Sequence, residues 1–185
     1  MANALVPLAE GFEDVEALTV IDVLRRGGIE VTTASIHETP FVKSAYGIEM
    51  KADALFSDVA DAHYDAIVLP GGGKGTENLK ACAQLAERLR RQSEEQALLC
   101  AICAAPTVLV NAGALRDGVH VTCYPTCQME LDRPWSPALV VADKGVITGQ
   151  APGTALLFAL VVLQHLAGES AAQRVARAMV TDVLG

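Results

Sequence analysis

The feature of this 185-residue chain that most restricts its fold is a regular alternation of short apolar runs with amphipathic stretches. "ALVPLA" (residues 4–9) reads as a strand. "EDVEALTVIDVLRRGG" reads as a helix with Val15, Leu18, Ile21, Val23 and Leu24 on its apolar face and Gly27 and Gly28 at its end. "IEVTTASI", "DAIVLPGG" (65–72) and "ALLCAI" are further strands, the last two apolar enough to be buried. "NLKACAQLAERLRRQSEE" is a helix with its charges on one side, and "AAPTVLVNAGAL" another, with Pro106 tolerated in its first turn. "HVTCY", with His120 opening a strand, and "LVVADKGVITG" lead to the C-terminal helices. Strands alternating with helices imply βαβ units, a mostly parallel sheet and helices on both faces. Pro7 is the awkward residue, because proline is poorly tolerated in a central strand.

No internal repeat, low-complexity tract or linker interrupts this pattern, so we expect one domain over residues 1–185. Hydrophobic residues make up 51% of the chain and aromatics only 4%, and small aliphatic side chains suit close packing of helices on a sheet. A net charge of −8 opposes binding to nucleic-acid phosphates or anionic lipid. The most apolar segment, "TALLFALVVLQHLAG" (154–168), falls short of the roughly 20 residues that a membrane span needs and reads as a buried helix. The first residues carry no basic segment or cleavage pattern, so no secretory signal is expected. Five unevenly spread cysteines fit a reducing compartment, and we expect a cytoplasmic protein.

In open α/β sheets, sites gather at the carboxyl ends of the strands. That selects the loop with Glu10, Glu13, Asp14 and Glu16, the glycine turn at 71–75, and Cys103. In "CAICAAP", Cys103 falls where a strand ends and a helix begins. Such an elbow points a side chain into the cleft, Ala104 and Ala105 leave room for the tight turn, and a helix N-terminus lowers a thiol pKa. A packed structural cysteine fits the same pattern. Cys100 lies inside the strand and should point into a packed layer. Zinc binding would need "TCYPTC" (Cys123, Cys127), whose spacing and lack of a neighbouring histidine disfavour it, and no metal site is expected.

"LPGGGKGTENL" (69–79) matches neither a P-loop nor a dinucleotide fingerprint, but its glycines free N–H groups to face an anion, or else simply make a turn. Glu16 sits in the first helix with Leu18 and Ile21 two and five positions on. If it faces the cleft, desolvation would hold it protonated and let it donate to a thiolate. Glu13 and Asp14 read as solvated or capping residues. His37, His63, His120 and His165 are dispersed, and none matches a cysteine–histidine triad, which disfavours a peptidase or amidotransferase.

Taken together, "EGFEDVEALTVIDVLRRGGIEV", "YDAIVLPGGGKGTENL", "AICAAPTVLVNAGAL", "VTCYP" and "GVITGQAPGTALLFAL" resemble the ThiJ/PfpI superfamily, in particular its DJ-one branch, which includes the parkinsonism-associated deglycase and the bacterial YajL proteins. The resemblance runs nearly end to end and in order. It implies a flavodoxin-like core, a cytoplasmic homodimer and no cofactor. Cys103 then matches an oxidation-prone nucleophile, Glu16 the acid bonded to its sulfur, Gly72 a glycine whose N–H faces the site, and Ala104 the N–H beside it. Tyr124 falls where many members carry histidine, and a phenol, with an ordinary pKa of about 10, is a poor base. Pro152 and Gly153 match a loop near the site. The implied activity is a glyoxalase or deglycase acting on methylglyoxal-type dicarbonyls or their early adducts. The alternative is a non-enzymatic redox sensor or chaperone working through oxidation of Cys103.

Overall fold

The structure, a computed structural model, describes residues 1–182. The chain begins with β1 (Asn3–Leu8), α1 (Asp14–Arg26) and β2 (Glu30–Ser35), then forms the short strands β3 (Phe41–Lys43), β4 (Glu49–Lys51) and β5 (Ala54–Leu55). The turn of helix α2 (Phe56–Val59) leads to β6 (Ala66–Leu69), α3 (Gly73–Ala81), α4 (Ala83–Glu94), β7 (Leu98–Ile102) and α5 (Pro106–Asn111). The strands β8 (Val140–Asp143) and β9 (Val146–Gly149) precede α6 (Ala155–Ala167) and α7 (Glu169–Ala178).

Seven strands form one sheet in the order β5-β2-β1-β6-β7-β9-β8, parallel except for β8, while β3 and β4 pair as a separate antiparallel hairpin. The alternation of side chains along each strand divides the core in two. Ala4, Val6, Leu8, Val68, Cys100 and Ile102 face one layer with Val20, Val23 and Leu24 of α1 and Phe158 and Leu163 of α6. Leu5, Ile67, Leu69, Leu99 and Ala101 face the other, with Leu85 and Leu89 of α4 and Val108 and Leu109 of α5. Both faces are covered, which is why the central strands read as continuous apolar runs. The expected sandwich of a mostly parallel sheet between helices is what forms.

Several local expectations are corrected. On α1, Val15 and Leu18 are exposed, and the inward face is Ala17, Val20, Ile21, Val23 and Leu24 together with Glu16. The single helix expected over "NLKACAQLAERLRRQSEE" is two, because Cys82 takes an extended backbone (ψ 98°) between α3 and α4. Neither glycine nor proline marks that break. α5 is shorter than "AAPTVLVNAGAL" and stops before Gly113, which adopts φ +67°. "HVTCY" forms no strand: Val121 makes one isolated bridge to Trp135, and the Thr122 N–H donates to the Thr148 side-chain hydroxyl instead of to a ladder partner. Pro7 stays in β1 opposite Ala34, but the β1–β6 ladder covers only Ala4 and Leu5, so the proline lies beyond it.

Phe158 is fully buried between the sheet and α6. Phe158→Ala should lower unfolding free energy by about 3–5 kcal/mol through lost burial and the cavity left behind, read as a lower midpoint in urea denaturation.

Candidate active site

The site is assembled from the carboxyl ends of β1, β6, β7 and β9. α1 starts under Glu13, whose carboxylate accepts the Glu16 N–H at 2.8 Å and caps the helix. That fixes the first turn so that Glu16 points inward, fully buried. Its Oε2 accepts the Gly71 N–H at 2.7 Å, while Oε1 is buried without a nitrogen or oxygen partner. The carboxyl lies within hydrogen-bonding reach of the Cys103 sulfur.

Cys103 follows β7 at φ +63°, a left-handed conformation that costs a non-glycine residue of order 1–3 kcal/mol. The conformation is over-determined. Its N–H donates to the Gly149 carbonyl at the end of β9 (3.0 Å), and its own carbonyl accepts the Tyr124 N–H (2.8 Å). The Ala105 N–H then closes a turn onto Ile102 (3.0 Å). The backbone N–H groups of Gly72 and Ala104 lie beside the sulfur and favour its anion. Gly72 sits at φ +97°, and a Cβ there would lie 2.3 Å from the Gly11 carbonyl oxygen, so no side chain fits.

Burial pushes the Glu16 carboxyl up to about 7, against the opposing pull of the Gly71 N–H. Burial also pushes the Cys103 thiol up, helped by the Glu16 carboxylate and opposed by the Ala104 and Gly72 N–H groups. This corrects the expectation of a thiol lowered by a helix N-terminus. α5 has only six residues and begins at Pro106, too little to offset burial beside a carboxylate. When Glu16 holds its proton the repulsion vanishes and the two N–H groups remain to favour a thiolate.

The other expected site residues divide. Tyr124 meets Cys103 through its backbone N–H, and its side chain is exposed. Pro152 and Gly153 lie on the 3₁₀ turn Pro152–Thr154 after β9, and neither makes a hydrogen bond to Cys103 or Glu16. Asp14 is neither solvated nor the cap: buried, it accepts from the Ser44 hydroxyl and the Tyr46 N–H, tying the β3–β4 hairpin to α1. His37 accepts the Glu10 N–H at 2.8 Å, and no histidine joins the Cys103–Glu16 pair among the described residues. Cys100 is sealed in the core. The residue that sequence reasoning missed is Gly71: its N–H holds Glu16, and a Cβ on it would lie 2.7 Å from Glu16 Oε2 and 2.9 Å from the Cys103 Cβ. The only signal was the run of three glycines after Pro70.

A model of the DJ-1/PfpI family matches residues 2–165. The chain belongs to the DJ-1/PfpI family. It is 38% identical over 180 residues to protein dj-1beta of Drosophila melanogaster, covering 96% of each chain. Protein DJ-1 homolog A of Arabidopsis thaliana is 38% identical over 176 residues, which span 94% of this chain but 45% of that longer protein. The glutathione-independent glyoxalase DJR-1.2 of Caenorhabditis elegans is 36% identical over 170 residues, covering 90% of this chain and 89% of the relative. Among solved structures, oxidized DJ-1 of Toxoplasma gondii superposes with a TM-score of 0.94 at 33% identity, covering 98% of this chain and 99% of that one. The fold is the α/β flavodoxin-like sandwich of this DJ-1 branch. No helix among the described residues is long and apolar enough to cross a membrane.

The raised carboxyl gives a signed pH dependence. Between pH 4.5 and about 7 the folded state binds more protons at Glu16 than the unfolded chain, whose carboxyl titrates near 4.5. Stability from this group is fully present below 4.5 and is lost as pH rises through about 7, by up to about 3 kcal/mol. Glu16→Gln should flatten that decline in urea denaturation curves collected across the window.

Proposed function

We propose that the protein is a cofactor-independent, Cys103-dependent glyoxalase, with related deglycase activity on early dicarbonyl adducts. The observation that carries this reading is a buried acid, Glu16, beside a sulfur whose anion two backbone N–H groups favour. A nucleophile, a proton carrier and oxyanion donors thereby converge on one atom. The relative named as a glutathione-independent glyoxalase supports the same direction.

In the proposed sequence the Cys103 thiolate attacks the aldehyde carbon of methylglyoxal, forming a C–S bond. The oxygen of the former carbonyl takes the N–H groups of Gly72 and Ala104 and then the Glu16 proton, giving a hemithioacetal. Glu16, now a carboxylate, removes the proton from that carbon and returns it to the neighbouring one through an enediol. The product is a lactoyl thioester. Water cleaves its C–S bond, releasing lactate and restoring the thiol. No external oxidant or reductant is needed, because the aldehyde carbon is oxidised as its neighbour is reduced. Tyr124, with an exposed side chain, acts at most as a hydrogen-bond donor to substrate and not as a base.

A second reading shares the same thiolate: a redox sensor or redox-regulated chaperone in which peroxide oxidises Cys103 in two two-electron steps to a sulfinate. The two N–H groups beside the sulfur favour it, since they would donate to the anionic oxygens, and the Toxoplasma relative is described as oxidized. The expected cytoplasmic homodimer belongs to the proposal too. Val15 and Leu18 of α1 and Tyr46 and Ile48 beside the hairpin leave apolar side chains outward for a second copy.

Cys103→Ser should reduce methylglyoxal consumption and lactate formation to background, and Glu16→Gln should keep the thiol but lose most turnover. Activity retained in the serine variant rejects the covalent mechanism. Negligible turnover in the wild type, with selective gain of two oxygens at Cys103 after mild peroxide, selects the sensor.

A further inference from the structure

The proposed reaction gives Glu13 no role beyond capping α1, yet its contacts close a ring around the acid. The Glu13 N–H donates to the Gly71 carbonyl at 2.9 Å. The Gly71 N–H donates to Glu16 Oε2 at 2.7 Å, and the Glu16 N–H donates to Glu13 Oε2 at 2.8 Å. Each of the three residues therefore donates once and accepts once, and opening any bond of the ring frees a buried donor and a buried acceptor. The ring joins the first turn of α1 to the glycine turn after β6, the two segments that meet at Cys103. Its closure is tight: a Cβ on Gly72 would lie 2.8 Å from the Glu13 nitrogen, and one on Gly71 2.7 Å from Glu16 Oε2.

The two acids of the ring differ in their surroundings. Glu13 takes the cap position, where the N-terminus of a helix favours negative charge. Glu16 is fully buried, and burial is the main reason that its carboxyl is pushed up to about 7. The charge of Glu13 pushes it in the same direction. Asp14, the other acid of this turn, is directed at Ser44 and Tyr46 of the hairpin segment. The titratable groups that act on Glu16 are Glu13, from its own turn, and the Cys103 thiol at the end of β7.

We propose that Glu13 is a positioning residue that acts on the chemistry through Glu16: the ring aims the Glu16 carboxyl at Cys103, and the negative charge that Glu13 brings to the ring favours the proton on Glu16. This role rests on the reading of Glu16 as the proton carrier of the proposed reaction. It assigns the two acids different tasks. Glu13 carries the charge at the helix end, and Glu16 carries the proton beside the sulfur. Gly71 links them, because its carbonyl is held by one acid and its N–H holds the other.

The test reads Glu16 directly and needs no turnover, so failure of the glyoxalase reading and failure of this role are separate results. In isotope-labelled protein with Cys103 reduced, the NMR shift of the Gly71 amide follows ionisation of the carboxyl that accepts it. The midpoint in the wild type should be about 7, and Glu16→Gln should abolish the titration. Glu13→Gln keeps an oxygen for the Glu16 N–H but removes the charge. It should lower the midpoint by roughly half a unit while the Gly71 amide stays protected from hydrogen exchange. Glu13→Ala opens the ring, and the Gly71 amide should then exchange at least about fivefold faster. An unchanged midpoint in the Glu13→Gln protein overturns the role of the charge, and unchanged Gly71 exchange in the Glu13→Ala protein overturns the ring. In the wild type the Glu13 and Gly71 amides should exchange as slowly as those of β6, and rapid exchange of either overturns the ring whether or not the alanine variant folds.

Discussion

The site depends on one backbone constraint, the left-handed conformation of Cys103 at the end of β7. A residue just past a central parallel strand would ordinarily continue extended or fall into a helix. Here the Gly149 carbonyl takes its N–H and the Tyr124 N–H takes its carbonyl, so relaxing φ would break bonds to two other segments. A strain of order 1–3 kcal/mol survives because the sheet and the 121–124 segment together outweigh it. The result turns the sulfur away from the strand's packed faces and toward Gly72, Ala104 and Glu16. The glycine turn after β6 can close on this atom only because positions 71 and 72 lack side chains.

Electrostatics completes what the backbone begins. Glu16 is fully buried with a single N–H donor on one oxygen and none on the other, an environment that suits a carboxyl better than a carboxylate. The sulfur has the opposite provision: two N–H donors that suit an anion better than a thiol. Burial alone would keep both groups protonated. The proton on the acid is what lets the sulfur become the anion, because it removes the repulsion of the Glu16 carboxylate and leaves the two N–H groups beside the sulfur. That distribution leaves a proton beside the nucleophile, where attack on a carbonyl needs one delivered. It also supplies donors for the oxygens that peroxide would add, so the two proposed chemistries draw on the same arrangement.

Sequence reasoning recovered the sheet-and-helix plan because both faces of the sheet are covered, which leaves strands such as Ala66–Leu69 and Leu98–Ile102 almost wholly apolar. The elbow at Cys103 was legible for a related reason: the apolar run stops abruptly at two alanines and a proline that starts a helix. The inward direction of Glu16 was harder to read. Leu18 suggested the apolar face, yet Leu18 is exposed and Glu16 shares its face with Val20 and Val23. Nothing in local periodicity discloses that a buried partner waits for an acid. The β3–β4 hairpin escaped notice because each strand has three residues and only Val42 is buried, too little alternation to register. Nothing local marks the break at Cys82, and the role of Gly71 depends on a distant contact, a carboxyl from α1.

Thiol spacing shows the same limit from the other side. Cys100 and Cys103 form the Cys-x-x-Cys pattern that a motif search would notice, but the strand sends Cys100 into the layer beneath α6, where burial pushes its thiol far up. Cys103 leaves that register at the elbow and meets an acid from the first helix instead. Cys123 and Cys127 match no familiar signature, and their segment was expected to begin as a strand. Because it folds instead into a turn, the Cys123 thiol and the Cys127 N–H both donate to the Tyr124 carbonyl oxygen. Whether two cysteines close in sequence share an environment is set by the path of the backbone between them, and the end of β7 sends Cys100 and Cys103 to different ones.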